Sequence, residues 1–241
     1  MESYLFVLLV GITAGVVSGI IGTGSSIMLL PILVFTYGPK QAVPIMAIAA
    51  VMANLSRVLV WRREVDWKAF AAYSIPAVPA AALGAGTLWI LPARLVDLGL
   101  GIFFITIIPV RHWLLAKDFK LRLWQLSAAG AGIGFLTGIV LSTGPLSVPV
   151  FMGYGLAKGA FLSTEAVSSL AIYISKVATF SELGALTFEV AVQGMIVGSS
   201  LMLGTLIAKR IVGRMSMVSF RYVLDFLLLL SGVSMLWTSF R

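Results

Sequence analysis

Gly22-Thr-Gly-Ser-Ser-Ile-Met-Leu-Leu-Pro-Ile-Leu33 breaks an apolar run with small and polar residues, then resumes it. Ser142-Thr-Gly-Pro-Leu-Ser-Val-Pro-Val-Phe151 does the same about 120 residues on. Each break follows a glycine pair, Gly15-Val-Val-Ser-Gly19 and Gly134-Phe-Leu-Thr-Gly138. The echo continues downstream. Lys40 answers Lys158, Val65-Asp-Trp67 answers Leu186-Thr-Phe188, Leu83-Gly84 answers Leu203-Gly204, and Arg94 answers Arg214. The chain is therefore an internal repeat. In an apolar chain, Gly/Pro-interrupted segments at matching places in two halves point to a transporter's binding site.

Composition decides the solvent. Of the 241 residues 60% are hydrophobic and only 11% charged, more apolar surface than a soluble domain of this size can hide. The reading is a single all-α membrane domain over 1–241 with the lipid bilayer as its main partner. The excess of 17 Lys+Arg over 9 Asp+Glu does not indicate nucleic acid, because the basic residues sit in short loops between apolar runs. Cysteine is absent and His112 is the single histidine, so no thiolate metal site or His-dependent triad is expected, and no cofactor. The first apolar run lacks a basic segment before it and leads into repeat material, so it reads as structure rather than a signal peptide.

A helix needs about 20 apolar residues to cross the hydrocarbon core. Reading with that ruler predicts helices over about 4–22, 41–60, 68–90 and 94–115, with a short piece at 26–37. After the basic linker 117–123 the pattern restarts at 124–142, 160–181, 188–208 and 217–238, with a short piece at 146–156. About eight long transmembrane-type helices and two short broken or re-entrant pieces result, divided between repeat 1 (1–116) and repeat 2 (124–241). A dozen helical residues cover about 18 Å, too little for a core about 30 Å thick. If the short piece only extends the first helix, the repeats are parallel. If it returns as a hairpin with the next run, they are inverted. Loop charge favours inversion, since it puts Arg62-Arg63…Lys68, Arg111…Arg122 and Lys209-Arg210…Arg214 together on the cytoplasmic side. Both termini then lie outside.

The paired breaks are the strongest chemical signal. Irregular backbone at membrane depth is tolerated where it is buried in protein or lines a wet cavity. Gly22, Thr23, Gly24, Ser25 and Ser26, with Ser142, Thr143, Gly144 and Pro145, offer backbone N–H groups and hydroxyls at the start of a short helix. Together with the helix dipole these form an anion site. The bland alternative is close helix packing, the reading preferred for Gly11, Gly15, Gly19, Gly130, Gly134 and Gly138 at i, i+4 spacing.

Arg57 and Lys176 are cations inside apolar runs at approximately matching positions, and Asn54 stands one turn before Arg57. Intramembrane charges usually face a cavity or a partner, and a cation pair suits an anion pathway. The competing account of Arg57 is snorkelling to the headgroups, since it lies about one turn from a loop. Glu165 could pair with Lys176 or Lys158, favour its helix start, or carry a proton. Asp225, four residues after Arg221, reads as an ion pair or a second site for a coupling proton or Na+. Pro76, Pro79 and Pro109 read as kinks. Trp61, Trp67, Trp89, Trp113, Trp124 and Trp237 stand near span ends as an aromatic belt.

On the Gly22–Leu33 run the chain resembles the sulfite exporter TauE/SafE family, small bacterial membrane permeases with a Gly-rich stretch, an apolar tetrad and Pro-x-Leu early in each half. Gly22, Gly24 and Pro31 carry the likeness in the first half, Gly144, Pro145 and Pro149 in the second, and Val65-Asp66-Trp67 follows a basic loop as in the family. Ser25 and Ser26, and Leu141, Ser142 and Thr143, stand where the family usually has glycine, so the cradle here donates more through hydroxyls. The resemblance implies a bacterial inner-membrane permease for sulfite, a sulfonate or a related small organic anion.

The residues themselves leave three classes open. A secondary transporter with alternating access leads, without a Walker-type motif for ATP. An anion channel would use the same helix dipoles and charges. A structural membrane subunit would need neither buried charge nor paired breaks. Scattered acids and the absence of cysteine argue against an enzyme. No oligomeric state is assigned.

Overall fold

The computed structural model describes residues 9–16, 18, 25–116, 120–139, 144–156, 158–211, 229, 233, 236 and 237. Gly22, Thr23, Gly24, Ser142, Thr143 and Asp225 lie outside the described residues, as do most of the final apolar run and its Arg214 and Arg221. The described chain is all-helical, with no strand. A helical stretch at 9–16 is followed by α1 (Ser25–Tyr37), α2 (Pro39–Trp61), a 3₁₀ turn (Arg62–Glu64), α3 (Trp67–Ile90) and α4 (Ala93–Ala116). Then come α5 (Leu123–Ile139), α6 (Gly144–Tyr154), α7 (Lys158–Glu182) and α8 (Phe188–Ile211). The short pieces α1 and α6 begin where the sequence breaks end.

Local chemistry explains the boundaries. α1 ends at Gly38 and α6 at Gly155, with φ of 75° and 106°, a region open to glycine but rarely to other residues. Each positive-φ glycine turns the chain from a short helix into the long one behind it. α3 starts where the Asp66 carboxylate accepts from the backbone N–H groups of Lys68 and Ala69, both at 3.0 Å. It then continues as one helix through Pro76 and Pro79.

Among the described residues, three helical segments are long and apolar enough to cross a membrane: Lys40–Leu59, Trp67–Ile90 and Phe188–Ile207. Their outer faces carry large exposed apolar side chains, Ile75, Leu83, Ile90 and Phe188 among them, as lipid-facing helices do. The segment 101–110 and α5 are apolar but shorter. α7 differs: it is 25 residues long, yet Ser163, Thr164, Glu165, Ser168 and Lys176 on it are all buried. A helix that keeps its polar side chains inside belongs at the centre of a bundle, and α7 packs against both α2 and α3.

Two close seams hold the bundle. On α5, Gly130, Gly134 and Gly138 lie directly on the backbone of Tyr73, Ala77 and Ala81 of α3. On the stretch 9–16, Gly15 lies on the backbone of Leu201 and Gly204 of α8. A methyl group at any of these glycines would meet backbone, so the absence of Cβ is what lets the helices approach. The packing reading of these glycines therefore holds for Gly15, Gly130, Gly134 and Gly138. The register differs between the seams. Gly15 takes at Leu201 and Gly204 the place Gly138 takes at Ala81 and Gly84, one helical turn from its sequence mate Gly134.

Contacts also fix directions. Arg57 meets Glu165 while Glu64 lies against Gly159, so α2 and α7 run antiparallel. The Asp66 N–H donates to Thr164 Oγ1 at 2.9 Å and Ser175 Oγ to the Val78 carbonyl at 3.1 Å, so α3 and α7 run parallel. Gly194 against Ile48 and Gly198 against Met52 make α2 and α8 parallel. Leu29 and Leu33 of α1 share a buried cluster with Ala42, Val43 and Ile45 of α2, placing the short helix along the long one.

Candidate functional site

A buried polar cluster lies where α2 meets α7. Arg57 Nη1 donates to Glu165 Oε2 at 2.8 Å, and Arg57 Nη2 donates to Asn54 Oδ1. Asn54 is held by its own amide, which donates to the Ala50 carbonyl one turn earlier at 2.8 Å. The second carboxylate oxygen of Glu165 accepts from Ser169 Oγ at 2.8 Å. All the ion-pair and amide side chains here are buried, with Asn54 4%, Arg57 6% and Glu165 2% exposed. That level of burial rules out the snorkelling account of Arg57, because its guanidinium turns inward to a carboxylate rather than outward to headgroups. The charges meet the condition for buried ions, pairing plus hydrogen bonds to the remaining oxygens.

Two tyrosines within electrostatic reach of this carboxylate contact the short helices. Tyr173, two turns along α7 from Glu165, hydrogen-bonds with Ser26 in the first turn of α1 and stands within electrostatic reach of Glu165 and Arg57. Tyr73 of α3, also within reach of Glu165, stacks on Phe151 of α6 with ring centroids 4.7 Å apart. A residue of α1 and a residue of α6 thus each contact one of these tyrosines. Ser25 and Ser26 are buried at the start of α1. Gly144 and Pro145 form the first turn of α6, where Ser147 is buried and its hydroxyl donates to the Gly144 carbonyl at 3.2 Å.

Lys176 has a different environment. It is fully buried, and Nζ donates to the Thr137 carbonyl in the last turn of α5 at 2.6 Å while lying 5.7 Å from the Phe180 ring centroid. The last four carbonyls of a helix lack intrahelical donors, and a cation there complements the negative end of the dipole. Lys176 thus caps α5 just before the second break. Of the roles open to Glu165, pairing with Lys176 does not occur, since Lys176 lies three turns beyond it on α7, and α2 instead brings Arg57 alongside. The side chain of Lys158 is outside the described residues.

The sequence singled out Asn54, Arg57, Glu165, Ser25, Ser26 and Lys176, and missed Ser169 and Tyr173. A signal was present, since Glu165, Ser169, Tyr173 and Lys176 follow the i, i+4, i+8, i+11 spacing of one helix face. Among the described residues no group of three or more His, Cys, Asp or Glu could hold a metal ion. The cluster thus places one buried guanidinium and one buried carboxylate in direct contact, each also hydrogen-bonded to a neighbouring polar side chain.

A family model described as sulfite exporter TauE/SafE matches residues 7–235. No curated protein and no solved structure matches the chain.

Proposed function

Since the chain belongs to the sulfite exporter TauE/SafE family, we propose that it is a secondary transporter for sulfite, a sulfonate or a related small sulfur oxyanion, working by alternating access around a midplane site. The family is one of membrane transporters, not of enzymes. The observation that supports the reading is the buried Arg57 guanidinium, held by Asn54 and Glu165, within electrostatic reach of Tyr173, which hydrogen-bonds Ser26 at the start of α1. Ionisable side chains buried at membrane depth are costly and commonly mark a substrate or ion pathway, even where they pair with one another. Gly22, Thr23, Gly24, Ser25 and Ser26 would hold the anion from one side, and Ser142, Thr143, Gly144 and Pro145 from the other. Lys176 adds positive charge near the second break.

The two halves, 1–116 and 124–241 joined by the basic linker 117–123, are read as inverted repeats, each with four long helices and one short piece turned back. The antiparallel course of the repeat mates α2 and α7 supports this. So does α1 lying along α2. In this scheme both termini face outward across a bacterial inner membrane, and the coupling ion is a proton or Na+ carried at Glu165 or Asp225.

Flux into proteoliposomes tests the reading, with sulfite, thiosulfate, taurine, sulfoacetate and chloride as the panel. Saturable counterflow of one sulfur anion is expected, and Ser26→Leu or Thr143→Leu should abolish it in folded protein. Non-saturating, voltage-driven chloride flux without counterflow would make the protein a channel. No flux of any panel member would withdraw the sulfur-anion assignment.

A further inference from the structure

Arg57 is the buried cation that the transport reading assigns to the substrate anion, yet it already has an anion in Glu165. The carboxylate and guanidinium together are neutral, and a neutral, hydrogen-bonded pair is the arrangement of lowest electrostatic cost in a dry interior. A substrate anion arriving at Arg57 would place two negative charges around one buried cation. That state is unfavourable unless one negative charge is removed. The group able to do so is Glu165, by taking up a proton.

The neighbourhood has been assembled for such an exchange. Among the described residues, the charged and titratable groups bonded to or within electrostatic reach of Glu165 are Arg57 from α2, Tyr73 from α3 and Tyr173 on α7 itself. Glu64 of the 3₁₀ turn lies further back, against Gly159, and Lys176 is engaged with the Thr137 carbonyl. Arg57 is thus the cation bonded to Glu165. Ser169 would accept a hydrogen bond from the protonated acid as readily as it donates one to the carboxylate. Tyr173, eight residues along α7 from the acid and within its electrostatic reach, hydrogen-bonds Ser26 at the start of α1.

We propose that Glu165 is an internal stand-in for the substrate: it holds Arg57 in the empty transporter and gives it up, by protonation, when the anion binds. The inference rests on the transport reading above and specifies its coupling. The proton comes from water on the side of entry and forms the carboxyl O–H of Glu165. It leaves on the far side as the anion departs and the Arg57–Glu165 pair closes again. No other bond forms or breaks. One proton accompanies each anion, so a monoanion moves without net charge and a dianion carries one negative charge.

The test uses the full chain in proteoliposomes with an entrapped pH dye and with sulfite, thiosulfate, methanesulfonate and sulfoacetate as probes. Methanesulfonate stays a monoanion across the working pH range, so protons that move with it are the protein's own. The wild type should accumulate an anion when the side of entry is made acidic, and the dye should report one proton per anion. Glu165→Gln keeps the shape and hydrogen bonds of the side chain but removes its charge. It should lose accumulation driven by a pH gradient while its half-saturating concentration in counterflow falls, by about tenfold if the closed pair occupies about nine-tenths of the empty protein. A purely structural ion pair would give the opposite, weaker counterflow with intact proton coupling. Wild-type transport without proton movement, or a pH-driven Glu165→Gln, overturns the inference and leaves the transporter standing. Absence of wild-type exchange for every probe overturns the transport reading itself.

Discussion

Arg57 Nη1 and Glu165 Oε2 stand 2.8 Å apart although their positions are 108 apart in the chain, one on α2 and the other on α7. Both side chains are nearly withdrawn from solvent, at 7% and 3% exposure. Coulombic gain in such a setting is offset by desolvation, so the pair is weak evidence for stability. Its asymmetry under mutation is strong. Arg57→Ala or Glu165→Ala leaves a buried ion without its partner and should cost about 3–5 kcal/mol. The double variant Arg57→Met/Glu165→Leu should be more stable than either single one while losing transport. Thermal unfolding in detergent measures both, and additive losses in the double variant would show that the two residues do not act as a pair.

The eight helices α1–α8 were legible in the sequence because apolar length and breaker residues act locally: α3 was expected over 68–90 and spans Trp67–Ile90. The place of Arg57 was legible too, as a charge inside an apolar run. Its partner was not, because pairing depends on which helices lie side by side, and periodicity on one helix carries no information about its neighbour. Glu165 was accordingly matched with lysines near it in sequence. The same limitation explains the one-turn shift between the glycine seams, which no repeat alignment can reveal. Ser169 and Tyr173 could have been found from their spacing with Glu165, since hydroxyls in line with a buried acid share its face.

Lys176 separates two roles that its position near the second break combines. Its Nζ bonds the Thr137 carbonyl at 2.6 Å and closes the end of α5. Lys176→Met removes the donor and should cost about 1.5–3 kcal/mol, the range for a hydrogen bond to a charged group. Lys176→Gln keeps a donor but not the charge. It should preserve most of the melting temperature while raising the half-saturating anion concentration. Equal loss of stability in both variants would assign Lys176 to structure alone.

Asp66 anchors the first turn of α3 through two backbone N–H groups, and its own N–H donates to Thr164 of α7. The side-chain cap is lost in Asp66→Ala, which should destabilise the protein by about 1 kcal/mol. Asp66→Asn retains an oxygen acceptor and should cost less. Melting temperatures of the two variants check the order, and Asn as harmful as Ala would mean that charge matters more than the cap.

The glycines of α5 divide into two kinds only two residues apart. A Cβ at Gly134 would run into the backbone of Ala77, whereas one at Gly132 would meet nothing within 4 Å. Both sit inside the same helix, so Gly→Ala has the same intrinsic helical benefit, about 0.5–1 kcal/mol. At Gly132 that benefit is unopposed and Gly132→Ala should be neutral or slightly stabilising. At Gly134 the added methyl must push α5 off α3, and overpacking of this kind typically costs about 1–3 kcal/mol. The seam cannot relax by rotating a side chain, because backbone stands on both sides. Gly134→Ala should therefore lower the melting temperature and Gly132→Ala should not. Similar behaviour of the two variants would mean that α5 and α3 are held further apart than their glycine contacts require.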